Sequence, residues 1–251
     1  MKPRILITPL CGGERDGWVN PYLLSNLILA SHDMRFSVAV EPIVDKHPVD
    51  YARNCCIAMA RERNVDTLLM VDADQSWWPG YNPLNMLPND LAAKPVIGIP
   101  TMQRFSPEET CKSGEPFIPN FRTMDGHRVE NAGEYFTASH VGTGAMFIHR
   151  RIWEEVIPRG PWFVWRYKEG SELHETDGST GSEDFGFCEL CTRHNVPIWV
   201  HRKPIPHWKT CECTMLGMHV QKFKQMAEQA AKAGIAQPTD INWNCKSEGA
   251  K

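Results

Sequence analysis

The sequence predicts an α/β domain, a parallel sheet with helices on both faces. Three observations carry this. Short apolar runs alternate with stretches of helical spacing in the order β-α-β-α-β through residue 71. The chain has 251 residues, 42% of them hydrophobic and 23% charged, the size and composition of one soluble globular domain. One apolar run, within "DTLLMVDADQSWW" at residues 66–78, ends in two aspartates, as a buried strand does when it delivers polar groups to a sheet edge.

Residues 4–8 form the first predicted strand, ended by Pro9 and the Gly12-Gly13 pair. Pro21 opens a helix through Ser31, with Leu23, Leu24, Leu27 and Ile28 at helical spacing. A second strand spans residues 36–44, with Val38, Val40 and Ile43 facing inward. Asp50 caps a helix to Arg63 whose buried face carries Ala52, Cys55, Cys56, Met59 and Ala60. Strand three is residues 67–71 and strand four residues 96–100. Residues 103–135 read as a long excursion with a hairpin around Asp125-Gly126. Order resumes with Gly142 and Gly144, a strand at 145–149 and a helix at 151–156. Residues 166–182 are polar loop, Ser182 caps the next helix, "PIWVHR" is a final strand and residues 215–233 are a basic amphipathic helix before a frayed tail.

Composition excludes some functions. A net charge of −3 gives no global pull toward nucleic acid or membrane, although Arg193, Arg202, Lys203 and Lys209, with Lys222, Lys224 and Lys232, form a local basic set. No run approaches the ~18 apolar residues of a membrane span, and the apolar core of "MKPRILITPLCGG" is too short for a secretory leader. The expectation is a soluble, cytoplasmic protein. Nine cysteines, two of them the adjacent Cys55 and Cys56, fit reduced thiols better than a disulfide framework.

Asp72 and Asp74 form a D-x-D at the carboxyl end of strand three. Two such carboxylates suit Mg or Mn with a phosphorylated ligand; the other reading is an Asx turn that caps Gln75. Arg53, early in the second helix, can complement a diphosphate or pair on the surface with Asp50. Glu183 and Asp184 are candidates for a general base or ordinary first-turn acids. His207 is either a further metal ligand or a loop residue. Trp77, Trp78 and Trp208 flank the proposed ligands and can stack on a sugar or a base, whereas Trp199 belongs in the core. Cys188-x-x-Cys191 and Cys211-x-Cys213, with His207 and Cys245, offer a zinc alternative with poor spacing.

The marks "ARN", "DAD", "GTGAMFIHRRIWEEV" and "SEDFGFC", followed by a tryptophan and a late histidine, resemble the GT-A fold of nucleotide-sugar glycosyltransferases, closest to the family-two type. The resemblance implies a single-domain mixed, mainly parallel sheet over residues 1–214, with a nucleotide-sugar half at 1–100 and an acceptor half at 101–214, followed by a C-terminal helix and tail at 215–251. It implies Asp74 on a Mn or Mg ion, Asp72 on the metal or the ribose, and His207 as a further ligand. Thr8, Pro9 and Asp45 would hold the nucleotide, and residues 142–145, Gly144 among them, would line the sugar. Asp184, with Glu183 beside it, would be the base of an inverting transfer from a UDP-sugar to a hydroxyl, which a hydroxylated DNA base could supply. The alternatives are a sugar-phosphate nucleotidyltransferase and a non-catalytic sugar- or nucleic-acid-binding protein of the same fold. The turn "VDKHPVD" departs from the family's small polar turn at Asp45.

Overall fold

Alternation of side chains along two neighbouring strands decides which helix each face receives. In the computed structural model β1 (Arg4–Cys11) pairs in parallel with β4 (Thr67–Asp72), Ile5 opposite Thr67 through Leu10 opposite Asp72. Ile5, Ile7, Leu69 and Val71 enter one buried cluster with Leu23 and Leu27 of α1 (Pro21–Ser31). Leu6, Leu68 and Met70 enter the other, with Ala52, Cys56, Ile57 and Ala60 of α2 (Val49–Glu62). Asp72 continues the parity of Leu68 and Met70, so its side chain leaves the sheet on the α2 face.

The structure describes residues 2–11, 19–44, 46, 48–104, 117–119, 121–123, 133–164 and 182–205. All belong to one compact unit, Met1–Thr210; a second unit, Cys211–Lys251, lies outside them. The predicted helix at 215–233, His207, Asp45 and the polar stretch at 166–181 also lie outside the described residues.

α1 begins as predicted: Asn20 accepts from the Tyr22 amide at 2.8 Å, and Pro21 occupies the first helical position, where no N–H is needed. Only part of its apolar set is buried, since Leu24 and Ile28 are exposed. α2 starts at Val49 after Pro48, with Asp50 inside its first turn rather than capping it. The strand expected over 36–44 is two, β2 (Ser37–Val40) and β3 (Ile43–Val44), both parallel to β1. Among the described residues their register leaves Thr8 and Pro9 opposite no strand residue on that side. A proline, which lacks an N–H, is tolerated inside β1 at that break, so the strand runs on to Cys11 instead of ending at Thr8.

β10 (Ala145–His149) runs antiparallel to β4 and to β5 (Val96–Gly98). β11 (Ile198–His201) is parallel to β5, and β9 (Tyr135–Val141) is antiparallel to both β11 and β8 (Phe121–Thr123). The order β2-β1-β4-β10-β5-β11-β9-β8, with β3 beside β1, makes a mixed sheet flanked by helices. β6 (Met102–Arg104) and β7 (Phe117–Pro119) form a separate antiparallel pair. The excursion expected at 103–135 therefore contains strands, while its predicted turn at Asp125-Gly126 falls outside the described residues. The helix expected at 151–156 is a π-helical turn, Ile152–Val156, and the next helix is α3 (Glu183–Arg193). Among the described residues no helix is long and apolar enough to cross a membrane.

The reversed direction of β10 matters for the site. Its first residues come to the edge where β4 ends, so the Asp72 amide bonds to the Gly144 carbonyl at 2.9 Å.

Candidate functional site

The β4 edge gathers an unusually charged cluster. Arg53 lies on the buried face of α2 beside Ala52, Cys56 and Ile57, and is only 4% exposed. An isolated guanidinium at that depth would cost several kcal/mol, so its donors must be met. Nε donates to Glu183 Oε1 at 3.1 Å and Nη1 to the Thr143 carbonyl at 3.0 Å. Nη2 lies 3.3 Å from Asp72 Oδ1 and 3.5 Å from Oδ2. Burial works against the charge of Arg53, yet Asp72, Glu183 and Asp184 together outweigh it and raise its pKa. The residue expected to face a diphosphate is thus the hub that ties α2, β4 and α3 together.

Its neighbour Asn54 explains the rest of the "ARN" mark. The Asn54 amide donates to the Asp50 and Phe163 carbonyls, and its oxygen accepts from the Trp162 and Phe163 amides. A Cβ on Gly186 would meet the Val164 carbonyl at 2.8 Å, so glycine lets α3 approach this same segment closely.

Glu183 and Asp184 share a helix start but not an environment. Glu183 is buried against Arg53, and burial pushes its carboxyl above the ordinary glutamate range despite the arginine. Asp184 is half-buried. Its Oδ2 accepts from the Thr143 amide at 3.3 Å, and its Oδ1 accepts from the Phe185 amide at 2.8 Å and from Ser182 Oγ. Ser182, expected to cap the backbone of α3, instead turns its hydroxyl to Asp184.

The raised Glu183 carboxyl has a measurable consequence. Between its ordinary value of about 4.3 and its raised value, the folded state holds more protons than the unfolded chain. Stability contributed by this group therefore falls as pH rises through that window. In Glu183→Gln that fall should flatten in urea titrations run from the acid side to neutrality; an unchanged slope would show that Glu183 titrates normally.

Asp72 accepts from Gln75 Nε2 at 3.3 Å as well as from Arg53, so both its oxygens are engaged. Asp74 stands two residues on at the same edge, half-buried. The Gln75 amide closes the turn on the Asp72 carbonyl at 3.0 Å. This is a backbone turn rather than the Asx turn of the alternative reading, since the Asp72 carbonyl and not a side-chain oxygen accepts, and no helix starts at Gln75. Asn26 fastens the segment after this turn: its amide donates to the Trp78 and Tyr81 carbonyls, and its oxygen accepts from the Trp77 amide. Trp77 is buried with Nε1 on Met86 Sδ, whereas Trp78 is 49% exposed. Trp208 lies outside the described residues. Trp199, expected in the core, is half-buried, with Lys94 Nζ 4.9 Å from its ring centre.

On the β1 side, Thr8 is fully buried, its hydroxyl within 3.4 Å of the Leu69 carbonyl, and Pro9 follows it in the strand. On the β10 side, a Cβ on Gly144 would lie 2.1 Å from both Gln75 Nε2 and Oε1. A side chain at that position would displace the Gln75 carboxamide. The structure thus brings Asp72, Arg53, Glu183, Asp184 and Gly144 into one edge. Sequence reasoning placed Thr143 within the 142–145 stretch and Gln75 at the end of a turn, but did not foresee the bonds of Thr143 to Arg53 and Asp184 or of Gln75 to Asp72.

Cys188 and Cys191 sit on the buried side of α3, and burial pushes the Cys188 thiol up to about 12 and the Cys191 thiol higher still. Both side chains pack within the hydrophobic cluster that includes Val141, Phe187 and Ile198. The other proposed zinc ligands lie outside the described residues. Among the described residues no three His, Cys, Asp or Glu side chains form a ready-made metal site.

No family model matches the chain and no curated protein sequence matches it. Two solved structures are similar over most of its length. The crystal structure of A197 from STIV shares 15% identity over 82% of this chain and 83% of that one, with a TM-score of 0.44. The crystal structure of a glycosyltransferase involved in the glycosylation of the major capsid of PBCV-1 shares 12% identity over 80% of this chain and 93% of that one, with a TM-score of 0.28. At such values neither neighbour assigns an activity to this chain.

Proposed function

We propose that this chain is a metal-dependent glycosyltransferase that moves a sugar from a nucleoside-diphosphate donor, a UDP-sugar in the favoured case, to an acceptor hydroxyl. The charge balance at the β4 edge carries the reading. Asp72, Glu183 and Asp184 converge there on a single guanidinium that is already spent on protein groups, and Asp74 adds a fourth acid two residues beyond Asp72. Such an edge repels a bare diphosphate and accepts one only with a cation between them. Two carboxylates one residue apart fit Mg or Mn, which hold one or two protein carboxylates and complete their shell with phosphate and water. Asp74 is the carboxylate for that ion by its place as the second acid of the D-x-D, with Asp72 beside it on the metal or the ribose; His207 is a further candidate from the sequence. The bound ion would supply positive charge to offset that building on the departing diphosphate.

The chain's own residues then divide the work. Asp184, rather than buried Glu183, is the base: it is half-buried and oriented by Thr143, Phe185 and Ser182. It takes the proton of the acceptor hydroxyl as that oxygen bonds to the anomeric carbon, and the carbon–oxygen bond to the diphosphate breaks with its electron pair on the diphosphate. Attack from the face opposite the leaving group inverts the anomeric centre. Thr8, Pro9 and Asp45 would contact the nucleotide, and Gly144 would line the sugar side. Residues 1–214 would form the catalytic domain and 215–251 its appendage. Arg193, which pairs with Glu189 at 3.5 Å, and Arg202 and Lys203 are exposed and would offer phosphate contacts if the acceptor is a hydroxylated DNA base.

The test is a thermal-shift screen of UDP, GDP, CDP and ADP with MnCl2. One nucleotide should raise the unfolding midpoint only when Mn is present, because ligands that bind the native state stabilise it. A flat response to all four would overturn the donor assignment.

A further inference from the structure

Gln75 is 4% exposed and sits at the centre of the β4 edge. Its carboxamide occupies the space where a side chain on residue 144 would begin. Which end faces which neighbour is fixed by charge. A carboxylate accepts and never donates when ionised, so the amide nitrogen must face Asp72 Oδ2, as it does at 3.3 Å. That leaves Oε1 pointing elsewhere. Among the described residues no donor meets the buried Oε1, and the hydroxyl of Thr143, 1% exposed beside Gly144, is likewise unmatched. Buried polar atoms are ordinarily paired, and two unmatched ones within a single edge mark groups kept for something that arrives.

We infer that Gln75 belongs to the binding machinery: Nε2 fixes the Asp72 carboxylate, and Oε1 accepts a hydrogen bond from a sugar hydroxyl of the donor. The inference rests on the donor reading and adds the chemical group recognised. An amide oxygen can only accept, so phosphate oxygens and the carbonyls of a nucleobase do not satisfy it. A sugar hydroxyl does, and the N3–H of uracil is the competing donor on the same ligand. Two parts of a nucleotide sugar carry hydroxyls, the ribose and the transferred hexose, and both would present the same chemistry. Gly144 is then required for a second reason besides backbone proximity, because any side chain there expels the carboxamide that reads the hydroxyl.

The experiment compares dissociation constants of UDP and UDP-glucose, each with saturating MnCl2, for the unaltered protein, Gln75→Met and Gln75→Asn. Methionine keeps the volume and removes both polar atoms; asparagine keeps the amide but withdraws it by one methylene, and serves if the methionine variant fails to fold. Binding should weaken by about tenfold or more, as it does when groups that orient a site are lost. Weakening confined to UDP-glucose places the hydroxyl on the hexose. Equal weakening places it on the ribose if N3-methyl-UDP binds the unaltered protein as UDP does, and overturns the inference in favour of the uracil N3–H if N3-methylation weakens binding equally. A purely structural glutamine would lower the unfolding midpoint and leave both constants within twofold of the unaltered protein, which overturns the inference while the donor reading stands. If the unaltered protein binds neither ligand, the donor reading falls and the inference falls with it.

Discussion

Arg53→Met should destabilise the protein by about 3–5 kcal/mol at neutral pH, the cost of stranding buried charge when one partner is removed. The substitution keeps the length and apolar stem of the side chain, so the loss comes from the guanidinium. Glu183 would then be buried without its counter-charge, the Thr143 carbonyl would lose its donor, and Asp72 would keep only Gln75. Arg53→Lys should recover only part of the deficit, because one ammonium cannot span three acceptors set on β4, the turn before β10 and α3. The deficit should also shrink toward acid pH, where protonation of Glu183 removes charge that Arg53 balances. Urea denaturation at neutral and acid pH measures all three, and a loss below ~1 kcal/mol for Arg53→Met would mean that the cluster is solvated.

Asp184→Asn should lower turnover by about 10²–10⁴-fold, the usual worth of a positioned general base. Asparagine keeps the shape and an oxygen for the Thr143 or Phe185 amide, so the fold and the metal-dependent affinity for nucleotide should stay within a few-fold. The readout is Mn-dependent release of UDP from UDP-glucose, with water as acceptor until a better one is found. Glu183→Gln provides the contrast, since Glu183 is buried against Arg53 and does not face the substrate; its turnover should fall far less. Equal losses in the two variants would remove the distinction between base and structural partner.

The parts of the site legible in the sequence were those announced by a break in pattern. The apolar run ending in Asp72 and Asp74 could be placed at a strand end because nothing else explains acids directly after Met70 and Val71. The glycines around Thr143 and the acids after Ser182 were equally visible. Direction was not. "AMFIH" is buried on both faces, and a continuous apolar run carries no sign of whether it runs with or against its neighbours, so the antiparallel β10 emerged only from pairing. β9 was missed because "YFTASHV" mixes polar and apolar residues near the sheet edge. Arg53 was read as a phosphate contact because arginines are seldom buried; its neighbours Ala52, Cys56 and Ile57 were the clue that it faces inward. The contacts of Thr143 and Gln75 were not foreseen because they depend on backbone approach between the end of β4 and the turn before β10, which no spacing along the chain encodes.

The measurement that bears most directly on the donor site is calorimetric titration of UDP, with and without MnCl2, into the unaltered protein and into Asp74→Ala. If the β4 edge holds a metal-bound diphosphate, UDP binds tightly only with Mn, and the substitution weakens that binding by at least about 100-fold, the scale of losing a metal ligand rather than a surface contact. Binding that is indifferent to Mn, or that Asp74→Ala leaves unchanged, would contradict the account and place any nucleotide elsewhere on the molecule.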